Sequence, residues 1–295
     1  MPEYPDITVY VERSLERLQG QSLRQVQLRN PFVLRTAVPP IAQAQGRAVT
    51  GVQHLGKRVV LALDGDWYLV IHLMIAGRLR WLAPKAKLPG KLARSTLASL
   101  HFDTGQLVLT EAGTTRRASI HLVDSAAAQA AMDPGGIDVF AVDLAAFTQR
   151  LHSENHTLKR ALTNPHLFSG IGNAYSDEIL HRARLSPVAL TRSLPPANAQ
   201  RLFEATRTVL TEWTDRLRAE SPGWPEKVTA FHPQMAVHGR YKLPCPVCNT
   251  PVQRIVHAQS ETNYCARCQT GGRLLADRAL STLLKKSWPK TVDDL

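Results

Sequence analysis

Four cysteines fall within one 24-residue stretch, Cys245-x2-Cys248-x16-Cys265-x2-Cys268, and the chain has no others. Two CxxC knuckles at this spacing can place four thiolates at the corners of a tetrahedron, the donor set of a zinc ribbon. All four thiols are then ligands and no position stays open for substrate. One structural Zn2+ stiffening a β-hairpin, Val252–His257 with Glu261–Tyr264, is the expectation. At the other end the chain opens Met1-Pro2-Glu3. Loss of Met1 would leave Pro2 as a secondary amine. Amines at chain ends titrate near about 8, so a neutral fraction exists at neutral pH. Such an amine can attack electrophilic carbon and form an iminium, and Glu3 beside it can move protons. Taken alone, Met-Pro also reads as an ordinary tolerated start. A third segment, Gly170-Ile171-Gly172-Asn173, precedes a helical pattern. It suits a phosphate, through exposed backbone N–H groups and the helix end, but also suits a tight helix–helix connection.

The elements that must carry these groups fall into two halves. Asp6 reads as a helix cap, with Ile7, Val11, Leu15 and Leu18 at helical spacing and Gly20 as the stop. Eight short alternating or β-branched runs follow: Leu23–Arg29, Ala48–His54, Arg58–Leu63, Trp67–Ile75, Arg78–Leu82, Leu97–Phe102, Gln106–Thr110 and Ala118–Val123. They predict an antiparallel sandwich or barrel. Pro84–Arg94 is a loop rich in Lys, Pro and Gly. From Leu144 the period becomes helical, over Leu144–Leu151, Leu158–Leu162, Ala174–Arg182 and Ala197 to about Arg218, before Ser221-Pro222-Gly223-Trp224-Pro225 interrupts. The fold class expected is α+β, divided as 1–124, a linker over 125–143, a helical segment 144–240, the cysteine module 241–275 and a tail 276–295.

Composition narrows the partners. The formal charge is +12 and the isoelectric point about 9.9. The charge is uneven: net +7 over 1–130, −1 over 131–215 and +6 over 216–295. A basic excess gathered at both ends favours a polyanion, nucleic acid first. No apolar run approaches the roughly 20 residues of a membrane helix, and the N-terminus lacks the pattern of a signal peptide. An intracellular chain with no membrane partner is the expectation.

Together these features resemble the formamidopyrimidine-DNA glycosylase/endonuclease VIII family of DNA repair enzymes. The resemblance is carried, in chain order, by Pro2-Glu3-x-Pro5-Asp6; Leu55-Gly56-Lys57-Arg58; His72-Leu73 with Gly77-Arg78-Leu79-Arg80; Leu158-Lys159 through Asn173 and Glu178; and Val237-His238-Gly239-Arg240 before the cysteines. It implies an N-terminal β-sandwich, a helical domain with a helix–two-turns–helix motif, a four-cysteine zinc finger, and double-stranded DNA bearing a damaged base or abasic site in the cleft between. It implies that Pro2 attacks C1′ of a flipped nucleotide, with Glu3 as acid/base and Lys57 on a neighbouring phosphate. His72, Arg116, Arg117, Lys159, Asn173 and Arg240 are implied as further DNA contacts, and Cys245, Cys248, Cys265 and Cys268 as zinc ligands. The implied reaction is base excision followed by β,δ-elimination through a Schiff base. The resemblance adds a monomer working in the bacterial cytoplasm or nucleoid.

Three positions depart from the family pattern. Members fill the hole left by the flipped nucleotide with a Met, an Arg and a Phe. Here the Met position is Ile75, and Arg116-Arg117-Ala118-Ser119 keeps an Arg but lacks the Phe. The finger's usual Arg is Ser260. Losing a wedge removes part of what offsets unstacking, and losing the Arg removes a charge-assisted phosphate contact. The expectation is retained chemistry biased toward easily extruded lesions, with 8-oxoguanine in a stable duplex a poor substrate. The alternative is a family member that binds damage with little or no turnover.

Overall fold

The computed structural model describes residues 1–257, 260–276, 282–283 and 289–294; the tail expected over 276–295 lies largely outside them. Two compact units are present, Met1–Pro134 with Trp213–Thr229, and Gly135–Glu212 with Ala230–Leu295.

The first unit opens with helix α1 (Tyr4–Leu18), started by Pro5 in its first turn and by a capping box between Glu3 and Asp6. Its buried stripe is Ile7, Tyr10, Ser14 and Leu18, while Leu15 is 40% exposed. The stripe is therefore rotated from the expected Ile7–Val11–Leu15–Leu18 face. Tyr10 causes the rotation, because its ring packs near Trp224, 5.8 Å between centroids, and a buried aromatic outweighs a leucine.

Eight strands form two antiparallel sheets: β1 (Gln25–Leu28), β2 (Val49–Leu55), β3 (Arg58–Leu63), β4 (Trp67–His72), β5 (Gly77–Leu82), β6 (Thr96–Phe102), β7 (Gly105–Glu111) and β8 (Ser119–Val123). Strand orders are β2-β3-β4-β8 and β1-β6-β7-β5. Leu61, Leu69 and Ile71 of the first sheet share one buried cluster with Leu79, Leu100 and Leu109 of the second. The sheets thus pack face to face as a sandwich, each such side chain contributing about 1.5–3 kcal/mol. Inside the Pro84–Arg94 loop a short helix, α2 (Gly90–Ser95), forms. A further short helix, α3 (Ala126–Ala130), follows β8.

The strand expected over Trp67–Ile75 ends at His72. The Gly77 N–H donates to the Leu73 carbonyl at 2.9 Å, closing a turn in which Met74 has φ +52°. A Cβ at Gly77 would lie 2.2 Å from the Leu73 oxygen, so only glycine fits. Strand parity does not relate Met74 to Ile75, because neither lies in a strand.

The second unit holds α4 (Leu144–His152), α5 (Leu158–Thr163), α6 (Asn173–Arg182) and most of α7 (Pro196–Glu220), with Asp143 and Thr157 side chains capping α4 and α5. The cysteine module adds a hairpin, β9 (Gln253–His257) with β10 (Ser260–Tyr264), and helix α8 (Ala266–Thr270). Beyond α7 the segment through Val228 is tied to the first unit. Trp224 Nε1 donates to the Leu79 carbonyl at 2.9 Å, Arg78 Nε to the Val228 carbonyl at 2.7 Å, and Arg80 pairs with Glu226.

Candidate active site, nucleic-acid contacts and metal centre

The α1 cap fixes the chain start. The Glu3 N–H donates to Asp6 Oδ2 at 2.9 Å, and Pro2, Glu3 and Asp6 are all buried. Burial pushes the Asp6 carboxyl up to about 7, with neighbouring Glu3 adding to the rise. The terminal amine, here that of Met1, is held below the ordinary value by burial. Arg78 and Lys57 push it the same way, and Glu3 and Asp6 oppose them. Lys57 reaches this point from a two-residue turn, Gly56-Lys57, between paired Leu55 and Arg58, with Gly56 at φ +60°. His72 ends β4 opposite Arg58 and Ser119. Burial lowers its imidazole to about 4, helped by Arg58, Lys57 and His121, so it is neutral at physiological pH. The charge of Lys57 is thus felt both by the terminal amine, beside Glu3, Asp6 and Arg78, and by His72.

Two of these residues, Asp6 and Arg78, were not singled out from sequence as site residues. Asp6 enters the sequence reading as a helix cap and as the last residue of the Pro2-Glu3-x-Pro5-Asp6 motif, with no role of its own in the site. Arg78 donates from Nη1 to the Ile75 and Gly77 carbonyls at 3.2 and 2.6 Å, and so braces the turn on which Ile75 stands 62% exposed. The signal available was an Arg directly after the obligatory glycine of a turn.

Arg116 and Arg117 lie on an exposed loop of the same unit. Buried Glu111 anchors the loop's end, accepting from the Arg117 and Ala118 N–H groups at 2.8 and 2.9 Å. Ala118 is 2% exposed and belongs to the sandwich core. That position offers no wedge, and a larger side chain there would have to enter packed space.

In the second unit, α6 is the organiser. Asn173, Asp177 and His181 repeat every four residues and so share one face. Asn173 Nδ2 donates to the Glu261 carbonyl at 3.0 Å. Asp177 is fully buried and accepts from Lys159 Nζ at 2.5 Å and the Asn263 N–H at 3.1 Å, with His238 Nδ1 2.8 Å away. Glu178 accepts from three consecutive backbone N–H groups, of Ala236, Val237 and His238, at 2.7–2.9 Å. Burial raises its pKa while those three donors pull the other way. His181 Nε2 lies 3.3 Å from Cys245 Sγ. Lys159 and Asn173 are brought together, Lys159 Nζ donating to the Asn173 carbonyl at 2.7 Å. Arg240 follows the stretch held by Glu178; its Nη1 donates to the Pro233 carbonyl, and its Nε is buried without a partner among the described residues. Asp177 and His181 escaped sequence reading because a buried acid and histidine on a helix carry no local pattern.

The cysteine sulfurs fit a zinc ion. All four lie within 4.8 Å of one another and none is in a disulfide. Recorded separations are 3.9 Å for Cys245–Cys268, 3.4 Å for Cys248–Cys265 and 3.5 Å for Cys248–Cys268. A tetrahedron with bonds of about 2.3 Å has edges of about 3.8 Å. When bound there, zinc supplies structural cross-linking.

Comparison with known proteins follows the same division. The formamidopyrimidine-DNA glycosylase N-terminal domain model matches residues 1–118, the helix–two-turns–helix domain model of the same enzymes matches 134–217, and a zinc finger model found in these enzymes and in IleRS matches 242–271. Formamidopyrimidine-DNA glycosylase of Thermus thermophilus is 34% identical over 282 residues, covering 92% of this chain and all of that protein. The crystal structure of the Thermus thermophilus MutM (Fpg) protein superposes with a TM-score of 0.75 at 31% identity, covering 91% of this chain and 98% of that one. Lactococcus lactis Fpg in complex with abasic-site DNA gives a TM-score of 0.80 at 20% identity over 91% of this chain and 99% of that one, a likeness of fold.

Proposed function

The chain belongs to the formamidopyrimidine-DNA glycosylase family, whose members are base-excision-repair enzymes, and on that premise we propose that it excises damaged bases and cleaves the abasic strand through Pro2. The observation that carries this reading is the buried chain start, where Pro2 and Glu3 are held by the Glu3–Asp6 cap with the charges of Lys57 and Arg78 close to the terminus. Once Met1 is removed, the Pro2 nitrogen attacks C1′ of the extruded nucleotide, and the base leaves with the glycosidic electron pair and a proton. Opening of the sugar ring gives an iminium, with Glu3 delivering a proton to the ring oxygen. The iminium acidifies C2′; loss of that proton expels the 3′ phosphate, and a second elimination expels the 5′ phosphate. Lys57 holds a phosphate beside the lesion. Neutral His72 lines the site, Arg116 and Arg117 contact the duplex, and Lys159, Asn173 and Arg240 contact backbone phosphates. The zinc held by Cys245, Cys248, Cys265 and Cys268 keeps the hairpin formed.

The wedge positions support the narrower substrate range. Ile75 is exposed on its turn, Ala118 is inside the core, and Ser260 opens β10 on the surface. One apolar wedge therefore acts where relatives use more, and ring-opened or ring-saturated bases and abasic sites are the preferred substrates. The test is a lesion panel under single-turnover conditions with wild type and Glu3→Gln. Wild type is expected to process ring-opened bases well ahead of 8-oxoguanine paired with cytosine, and Glu3→Gln to lose base excision. Equal rates on the two lesions overturn the substrate range. Undiminished excision by Glu3→Gln overturns the role of Glu3.

A further inference from the structure

The outer face of the second sheet is polar by register. On β6, Leu100 and Phe102 point into the core while Ser99 and His101 alternate to the other side. Cross-strand pairing adds Gln27 opposite Ser99, and Gln106 opposite His101. These residues floor a cavity of about 390 Å³, roofed by the Lys-rich loop between β5 and α2. Gln106 holds that roof in place, its Nε2 donating to the Ala83 and Ala86 carbonyls at 3.3 and 3.2 Å. Lys85 sits in the roof at φ +58°, a backbone conformation a lysine adopts only under constraint.

The lining carries Arg29, Lys85 and Lys87 and contains no carboxylate. None of the three cations has an ion-pair partner among the described residues. Two further groups in the lining are unsatisfied: the buried Ser99 hydroxyl and the buried Nε2 of His101 have no hydrogen-bond partner among the described residues. Buried polar atoms without partners are rare in folded proteins and call for a ligand group or water. Three uncompensated cations with a hydroxyl and an imidazole match the needs of a phosphate, which offers several acceptor oxygens and negative charge.

We propose that this cavity is a phosphate-binding site separate from the Pro2 centre. One observation favours a DNA backbone phosphate as the source. Arg116 Nη2 donates to the Arg94 carbonyl at 2.8 Å, so the exposed arginine loop assigned to duplex contact is tied to the helix whose Ala93 lines the cavity. That source rests on the DNA-binding reading above; the phosphate chemistry itself does not.

The test follows His101 in the full-length zinc-loaded protein by histidine side-chain NMR, with inorganic phosphate and with an undamaged duplex as separate probes. A His101 shift with duplex but not with inorganic phosphate supports a backbone subsite, and a shift with inorganic phosphate alone supports a site for a small phosphorylated ligand. No shift with either overturns the proposal. Lys85→Ala/Lys87→Ala is expected to weaken the response about ten-fold. Ser99→Ala removes an unsatisfied hydroxyl, should fold at least as well as wild type, and should also weaken it. Arg192→Ala, an exposed cation outside the lining, should not. An unaltered response in both cavity variants contradicts the site. Borohydride trapping of wild type on abasic DNA, read in parallel, reports on the catalytic reading independently.

Discussion

His181 Nε2 stands 3.3 Å from Cys245 Sγ, so the helix that presents Asn173 also touches the zinc thiolates. An N–H directed at a metal-bound sulfur orients the ligand and tempers its charge, and loss of such outer contacts typically costs 10–100-fold in metal affinity. His181→Phe keeps a flat aromatic ring and removes the N–H. Zinc release to a chromogenic chelator should quicken about ten-fold or more in this variant, with the helical content unchanged. Release at the wild-type rate would reduce the contact to packing.

Glu178 holds three consecutive backbone N–H groups just before Arg240. Glu178→Ala would strand all three in a buried place, at about 1–3 kcal/mol each. Urea unfolding should show a loss of at least about 3 kcal/mol. A loss below about 1 kcal/mol would mean that water or rearrangement satisfies these donors.

Asp6 gives a signed pH dependence. Its carboxyl titrates near 7 when folded, raised by burial, against about 3.9 when unfolded. The native state therefore holds a proton that the unfolded chain gives up. The stabilisation is complete below about pH 4 and is lost as pH rises through 7. Between about pH 5 and about pH 8 wild type should lose more stability than Asp6→Asn, by at most about 3 kcal/mol. Parallel denaturant curves for the two proteins would contradict the protonated assignment.

Ile75 is exposed on a turn braced by Arg78. If it fills the space left by an extruded nucleotide, Ile75→Ala should slow excision from fully paired duplex roughly ten-fold while sparing cleavage of pre-formed abasic sites. Equal slowing of both steps would place Ile75 outside the extrusion step.

Much of this was legible in sequence because the signals are local. The alternating runs that form β2 and β3, the cysteine spacing and the long α7 pattern each depend on neighbours in the chain. What escaped depends on packing between distant segments. The α1 stripe turned because Tyr10 meets Trp224, over two hundred residues away. The strand after Trp67 ended early because Gly77 closes a turn on Leu73. Asp177 gathers Lys159, His238 and Asn263 from three separate elements, and no spacing rule announces such a hub. Ala118 was legible as a missing aromatic, but its burial was not.

The central claim is that Pro2 is the nucleophile. Borohydride reduction of a complex with an abasic-site duplex measures this directly, because it converts an iminium into a stable protein–DNA adduct. Protein freed of Met1 should trap in high yield, while Pro2→Gly and a form retaining additional N-terminal residues should trap little or nothing. Undiminished trapping by Pro2→Gly, or no trapping by the wild type, would contradict it.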